Sequence, residues 1–467
     1  MDGFDLELLD RLPLAESVWT LYRFVANDAL LNGIFEKYRG RSYTRTLEFS
    51  MLAGLVNDAL LVHHGSARQS FAEARGNGFL SLTDPAAYGK LRRTPVAVSE
   101  AIVSEVGARL AEVVPSVKPR MLPECFAGHQ AVHIDGKKLK KLAKRLKPLR
   151  GVAGSLLGGK ILVAIDGRSG LVIAMSSALD GEANDAPLVP TLLPQVRVRV
   201  AGPRLWVADR QFCDLTIPAL LSEDGDAFVI RHCLKMKFHP DPNRKAQESH
   251  DPQGRPIREE WGWVGSPKDN RRMYVRRITL VRSGEESIIL LTSLLNAEQY
   301  SAQAILQLYA ERWQIERVFQ QVTEVFELQR LIGSSPQAAI LQAALCLTLY
   351  NLIQVIRGYV AEANKVPTET VSSEMLFRDV QKQMICWAEL GSTPEPERVL
   401  TIPTEPRAIR RRLRTLLHGL WSEQWIKSPP KKNWKPTAKN NSVAGGHSSA
   451  WKLLNKAKSA KQQKSRE

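Results

Sequence analysis

One long uncharged segment constrains the fold of this chain more than any other feature. Residues 333–356 contain no charged side chain, and about 20 apolar residues are enough to span a membrane once. Gln342, Asn351 and Gln354 interrupt the segment, however, and the sequence contains no second one like it. A helix that is apolar on all sides is also found in the core of a large globular protein. We therefore predict a buried core helix and no membrane partner.

Composition indicates a basic protein of several domains. The 467 residues correspond to two to four domains, and 65 Lys and Arg against 48 Asp and Glu give a net charge of +17. This charge favours a polyanionic partner, either nucleic acid or an anionic membrane surface. The five cysteines are far apart, and the N-terminus is acidic where a signal peptide would be basic. We expect a reducing, cytoplasmic location.

Apolar residues recur at three- and four-residue spacing in the first part of the chain. This periodicity predicts a helical domain over residues 1–120, which we expect to bind DNA. Its basic residues are scattered, so a solvated helical surface is an equal alternative. A second helical region is predicted over residues 331–426.

The pattern changes to strands after residue 125. Short runs rich in Val, Ile and Leu predict strands at 131–135, 160–166, 171–179, 205–208 and 227–231. Strands that alternate with helices indicate a mixed α/β domain over residues 125–330. Residues 235–298 are turn-rich and contain a clear hairpin, which predicts a β-rich insertion in that domain.

Two of these strands are predicted to end at an aspartate. Asp135 follows Val-His-Ile, and Asp209 follows Trp-Val-Ala. A single Asp at such a position is usually a helix cap or a turn residue, although two of them suggest a shared site. Asp166 also ends a strand, but the Asp-Gly pair at that position is typical of a hairpin turn, and we leave it out of the site.

A third acidic residue lies in a predicted helix over residues 301–330. Spacings of three and four residues place Tyr309, Arg312 and Glu316 on one helical face. A guanidinium group grips a phosphate in a fork, and a carboxylate can hold a cation beside it. The alternative is an ion pair on an amphipathic helix.

These three residues carry a family resemblance. Tyr, two residues, Arg, three residues, Glu, six residues and Lys is the signature of the IS-four group of bacterial insertion-sequence transposases, which this helix resembles at three of four positions. The fourth position is Thr323 instead of Lys. Asp135 in Ile-Asp-Gly and Asp209 in Ala-Asp-Arg also resemble that group, with a β-rich segment before the Glu.

The resemblance implies a ribonuclease H-like catalytic domain in a DDE transposase. Asp135, Asp209 and Glu316 would be the catalytic residues and the ligands of two Mg²⁺ ions, for which Mn²⁺ can substitute. The implied reaction is metal-dependent cleavage at transposon ends, followed by strand transfer into target DNA. The implied partners are double-stranded DNA, both terminal inverted repeats and target, and a second copy of the chain in a homodimer assembled on DNA.

Other residues are candidates for DNA contact. Lys137 and Lys138 begin a basic run beside Asp135, Arg210 follows Asp209, and Trp261 and Trp263 could stack on a base, although packing on each other within the sheet is an alternative. Arg312 and Tyr309 are expected to contact phosphate. Residues 427–467 carry eleven Lys and Arg against one Glu, and we expect this basic tail to be disordered and to bind DNA.

Three alternative functions follow from the same residues. The chain could be a DNA-binding protein that has lost catalysis, or a ribonuclease H-like nuclease that cuts without joining. A nucleotide-binding enzyme is the third, because Gly154 to Lys160 nearly matches a phosphate-binding loop. The next residue is Ile161 rather than Ser or Thr, and a strand is predicted to follow, so that loop would lack the features that bind phosphate.

Overall fold

The computed structural model describes residues 3–42, 46–115, 123–266, 268–326, 328–391, 400–427 and 446–464. Helices form the N-terminal region and most of the C-terminal region. They are α1 (Gly3–Asp10), α2 (Pro13–Val25), α3 (Asp28–Tyr38), α4 (Phe49–Leu61), α5 (Ala67–Gly76), α6 (Asp84–Arg93), α7 (Val96–Ala111), α8 (Val189–Arg199), α9 (Ile217–Leu220), α10 (Ala302–Ala310), α11 (Trp313–Glu324), α12 (Pro336–Ala363), α13 (Ser373–Leu390), α14 (Pro406–Leu416) and α15 (Ala450–Lys464).

Most strands of the protein form one large mixed sheet between these helical regions. The strands are β1 (Gln130–Lys138), β2 (Ser155–Leu157), β3 (Lys160–Asp166), β4 (Val172–Ala178), β5 (Arg204–Ala208), β6 (Ala227–Arg231), β7 (Phe238–Pro240), β8 (Gln247–His250), β9 (Pro256–Val264), β10 (Met273–Leu280), β11 (Ile288–Thr292) and β12 (His447–Ser449). The fold is therefore mixed α/β, as predicted.

The order of strands in the sheet is β4-β3-β1-β5-β6-β11-β10-β9-β7, with β8 paired to β9. β4, β3 and β1 are antiparallel to one another, whereas β1, β5 and β6 are parallel. Parallel strands have their carboxyl ends at the same edge of a sheet. Side chains at the end of the β1–β5 pairing, after Ile134 and Ala208, are therefore brought close together.

The β-rich segment extends this sheet through one antiparallel pairing. Leu291 of β11 pairs with Ile230 of β6, and β10, β9 and β7 follow outward. The hairpin predicted near residue 283 is confirmed as β10 and β11. The insertion therefore shares a sheet with the strands that precede it.

The uncharged segment forms α12, the central helix of the protein. α12 is long and apolar enough to cross a membrane, but 94% of its most apolar window is buried inside the protein. Asn351 accepts a hydrogen bond from Val172 N and donates to Val172 O, each at 2.8 Å. Gln342 likewise accepts from Ile332 N at 2.6 Å. The polar residues that interrupt the segment are therefore hydrogen-bonded in the core, and the prediction of a core helix is confirmed.

The single helix predicted over residues 301–330 is wrong, because two helices, α10 and α11, occupy this stretch. At the junction, Arg312 N donates to Tyr309 O and Ile315 N to Arg312 O, the tighter spacing of a 3₁₀ turn. The apolar residues of α10 belong to a hydrophobic cluster with β6, β10 and β11, and those of α11 belong to the main core with α12. The break lets one amphipathic segment face both clusters.

The prediction of a disordered tail is wrong for residues 446–464. His447–Ser449 form β12, which pairs in parallel with β2, and Ala450 at the start of α15 is fully buried. Lys452 pairs with Asp180 at 3.4 Å and donates a hydrogen bond to Glu182 at 2.5 Å. The acidic side chains of Asp180 and Glu182 thus bind this basic segment to the sheet domain. Residues 428–445 and 465–467 of the predicted tail lie outside the described residues.

Candidate active site

Asp135 and Asp209 lie side by side on two parallel strands. Ile134 of β1 is in register with Ala208 of β5. Asp135 is the residue after Ile134, and Asp209 is the residue after Ala208. The prediction that Asp135 ends its strand is wrong, because β1 continues to Lys138 by pairing with β3. Asp209 does follow the last residue of β5. It also caps the next turn, since its Oδ1 accepts a hydrogen bond from Gln211 N at 2.5 Å.

Arg312 connects Asp135 with Glu316. Its Nη2 donates to Glu316 Oε1 at 2.8 Å, and its Nη1 lies 3.7 Å from Asp135 Oδ2. Arg312 is only 6% exposed, and its Nε and Nη1 have no hydrogen-bond partner within the described part of the chain. A buried guanidinium with unused donors faces the carboxylates, and such donors can donate hydrogen bonds to a phosphate.

The surroundings of Asp135 disfavour its charge. Burial raises the pKa of Asp135 to about 7, and the nearby carboxylates of Asp209 and Asp185 act in the same direction. A hydrogen bond from Gly136 N at 2.8 Å and the charge of Arg312 oppose that rise. The site therefore places Asp135 and Asp209 beside the buried Asp185, and a further cation would be stabilised there.

Asp185 and Lys160 are two members of this cluster that sequence reasoning missed. Lys160 Nζ lies 2.8 Å from Asp185 Oδ1, and both side chains are almost fully buried. Burial raises the pKa of Asp185, and the nearby charge of Asp209 acts in the same direction. Lys160 directly before the apolar run of β3 was the sequence feature that could have indicated a buried ion pair, because a buried lysine is almost always paired.

Tyr309 and Lys137 lie next to this cluster. The Tyr309 ring centre is 5.6 Å from the Arg312 guanidinium carbon, and burial raises the pKa of Tyr309. Lys137 Nζ lies 5.6 Å from the ring centre of Phe319 on α11, and burial lowers the pKa of Lys137. Thr323 donates its hydroxyl to Phe319 O at 2.6 Å, so its polar group is used within α11.

Other predicted contact residues lie outside the cluster. Lys138 and Arg210 are exposed, and Arg210 Nη1 is 3.9 Å from Glu286. Trp261 and Trp263 lie on β9, four strand positions or roughly 19 Å from β5.

Trp261 does not present the free aromatic face that was expected. It is 1% exposed, its indole N–H donates to Leu295 O at 2.9 Å, and Arg244 lies 3.7 Å from its ring centre. Trp263 packs edge-on against Tyr274 and beside Arg272. The two indoles therefore pack within the sheet, although against Arg and Tyr rather than against each other.

Carboxylate oxygens are the available metal ligands at this site. No three His, Cys, Asp or Glu side chains are close enough to hold an ion in this conformation, as far as the described residues go. At this site Glu316 Oε1 instead accepts a hydrogen bond from Arg312 Nη2 at 2.8 Å. An ion shared by the three acids would require Glu316 to rotate away from that arginine.

The part of the chain that contains these residues is similar to known proteins. Residues 133–352 match the family described as the transposase DDE domain, and Asp135, Asp209 and Glu316 lie inside the match. The chain is also 24% identical over 177 residues to a protein of Sinorhizobium fredii (strain NBRC 101917 / NGR234) named "Putative transposase y4zB". That alignment covers 38% of this chain and 47% of the relative, about half its length.

Proposed function

We propose that this chain is a DNA transposase that uses Asp135, Asp209 and Glu316 for metal-dependent phosphoryl transfer. The observation that carries the proposal is the position of Asp135 and Asp209 on neighbouring parallel strands, with Arg312 linking Asp135 to Glu316. All of these residues lie in the region that matches the transposase DDE domain.

We further propose that the sheet core is ribonuclease H-like and that the chain is related to the IS-four group. Three antiparallel strands followed by two parallel ones, in the order β4-β3-β1-β5-β6, support the first point. The spacing of Tyr309, Arg312 and Glu316 supports the second. Thr323 departs from that signature, and its hydroxyl bonds to its own helix.

The acids at the site fit a hard divalent cation. Asp135 and Asp209 would hold it first, because their carboxylates adjoin and burial of Asp135 leaves its charge poorly compensated. Glu316 would join after leaving Arg312. All-oxygen ligands favour Mg²⁺ or Mn²⁺, which when bound supplies activation of a water or 3′-hydroxyl and stabilisation of the leaving oxygen.

The remaining residues of the site would position the DNA strand. Once Glu316 leaves, Arg312 offers its donors to the phosphate beside Asp135. Tyr309 packs against Arg312 and limits the positions that its guanidinium can take. Lys137, braced on Phe319, and the exposed Lys138 lie on the same strand as Asp135 and would contact neighbouring phosphates.

The proposed reaction is cut-and-paste transposition. The substrates are double-stranded DNA with terminal inverted repeats and a target duplex, and two copies of the chain would assemble on the paired ends. The helical N-terminal region would bind the ends. We propose that the protein acts in the cytoplasm of a bacterium.

The test is cleavage of a labelled duplex that carries the flanking ends of the element, with Mg²⁺ present. D135N, D209N and E316Q should each abolish cleavage and retain DNA binding. D166N is the matched control, because Asp166 also ends a strand but accepts its hydrogen bonds within its own turn, from Arg168 N and from the Ser169 backbone and hydroxyl. Cleavage by D135N at the wild-type rate would remove Asp135 from the site.

A second readout separates metal binding from activity. Mn²⁺ should raise the melting temperature of the wild type and of D166N, but not that of D135N. Binding without cutting by the wild type would favour a noncatalytic DNA-binding protein. Cutting without joining to target DNA would favour a nuclease.

A further inference from the structure

We infer that the exposed side of α14 is a second surface that binds the phosphate backbone of duplex DNA, separate from the active site. We call this surface the arginine face; it consists of Arg407, Arg410, Arg411, Arg414 and His418. It lies outside the region that matches the transposase DDE domain. The inference takes its choice of partner from the proposed function.

The spacing of these residues makes one continuous basic stripe. Steps of three and four residues bring successive side chains onto the same side of a helix. Together with Thr415 they line an open groove of about 690 Å³. The stripe runs from Arg407 on α14 to His418, two residues beyond the end of that helix, and is about 16 Å long at a rise of about 1.5 Å per residue.

The opposite side of α14 anchors the helix. Ile409, Leu413 and Leu417 are buried in the main core. Arg412, which points away from the arginine face, donates to the buried Glu16 of α2 at 2.5 Å. The helix is therefore held rigidly with its basic side outward, and the arginines need little reordering before they bind.

Most charges of the arginine face are not neutralised within the protein. Arg414 pairs with Glu362 at 3.2 Å. Arg407, Arg410 and Arg411 have no carboxylate within ion-pair distance among residues 400–427 and the other described ranges. Like charges at these spacings repel one another on a helix, so a polyanion bound at this face would relieve the repulsion.

A DNA strand matches the length and charge of this stripe. Phosphates follow one strand with an axial rise of about 3.4 Å, so a stripe about 16 Å long runs beside several of them. Guanidinium groups bind phosphate oxygens in a forked geometry. The chain as a whole carries +17, which directs it towards such a partner.

The test measures how salt weakens binding to a duplex of arbitrary sequence. Fluorescence anisotropy with a labelled duplex of about 30 base pairs, over about 50 to 300 mM KCl, gives the slope of log affinity against log salt. R407Q/R411Q should make this slope shallower by about 1.8, since each lost phosphate contact removes about 0.9. Its affinity at about 100 mM salt should fall by about tenfold or more.

Two further variants control for net charge and folding. R168Q/R378Q removes the same charge from exposed arginines elsewhere and should keep the wild-type slope. R407K/R411K retains both charges and should also keep it. A slope for R407Q/R411Q equal to that of R168Q/R378Q would overturn the inference. Binding of the same variants to anionic lipid vesicles is measured in parallel. If R407Q/R411Q lost vesicle binding while its slope on DNA stayed unchanged, the inference would also be overturned.

This test is independent of the catalytic test. Binding is measured with a metal chelator present, so that no cleavage occurs. If the slope is shallower in R407Q/R411Q but the wild type does not cleave DNA, the proposed reaction is disproved and the inference about the arginine face stands. Cleavage with unchanged slopes would disprove the arginine face alone.

Discussion

A Cβ atom added to Gly136 would lie only 1.8 Å from Oδ1 of Asp185. The backbone directly after Asp135 therefore packs against the carboxylate of Asp185, whose Oδ1 also pairs with Lys160 Nζ at 2.8 Å. Because this carboxylate is buried and paired, it has little freedom to move away. The residue that follows Asp135 has to be glycine for β1 to keep this position.

Gly136→Ala should therefore displace β1 at the active site. We expect a loss of about 1–3 kcal/mol in stability, the usual cost of overpacking, together with loss of cleavage. The measurement is thermal unfolding and duplex cleavage by the same preparation. Gly128→Ala is the control, because a Cβ at Gly128 meets nothing within 4 Å. Equal behaviour of the two variants would show that Asp185 yields easily.

Lys160→Met should destabilise the protein strongly. It leaves Asp185 charged and buried without its partner, which typically costs about 3–5 kcal/mol. The measurement is denaturant unfolding, with Arg378→Met as control because the Arg378–Glu374 pair is exposed. The double variant K160M/D185L should recover much of the loss. A small effect of Lys160→Met alone would contradict a tight buried pair.

Arg312→Lys should reduce cleavage by about 100-fold, because an ammonium group cannot reach Asp135 and Glu316 in the forked geometry of a guanidinium. The measurement is the single-turnover cleavage rate with Mg²⁺, beside a melting curve. Arg317→Lys, an exposed change on α11 five residues after Arg312, is the control and should cleave at the wild-type rate. Wild-type cleavage by Arg312→Lys would leave the arginine with a structural role only.

Glu100→Gln should make stability less dependent on pH. Burial raises the pKa of Glu100 above its ordinary value of 4.5, although Ser177 donates its hydroxyl to the carboxylate at 2.6 Å. Stability from a raised carboxyl pKa is present at low pH and lost as pH rises through the folded value. The melting temperature of Glu100→Gln relative to the wild type should therefore increase from acidic to neutral pH.

The matched control for that series is Glu112→Gln. Glu112 is exposed and directly follows α7, the helix that contains Glu100. Its melting temperature relative to the wild type should vary much less over the same pH range. A Glu100→Gln difference that is constant with pH would show that Glu100 has the same pKa in the folded and unfolded chain.

Local features of the sequence were sufficient for several predictions. The apolar runs before Asp135 and Asp209 indicated the strands, and both strands are present. The Asp-Gly pair at Asp166 indicated a turn, where Ser169 N now donates to that carboxylate at 2.9 Å. These patterns can be recognised in a few consecutive residues, because turn chemistry and strand alternation depend on neighbouring residues.

Contacts between distant parts of the chain were beyond the reach of the same reasoning. Asp185 lies 25 positions after Lys160, and no local pattern at either residue predicts that their side chains pair. The basic residues after 446 suggested disorder, yet β12 pairs with β2 and Lys452 meets Glu182. Charge counted along a segment does not include the acids that the rest of the fold brings to it.

By itself, the sequence determined the core helix and the main strands and singled out three acids for a proposed site, because apolar periodicity and residue type act locally. Only the tertiary structure decided that Asp135 lies within a strand, that the helix breaks at Arg312, that Trp261 is buried and that Asp185 joins the site. Each of these depends on which surfaces are buried against each other, and that depends on contacts among many residues at once.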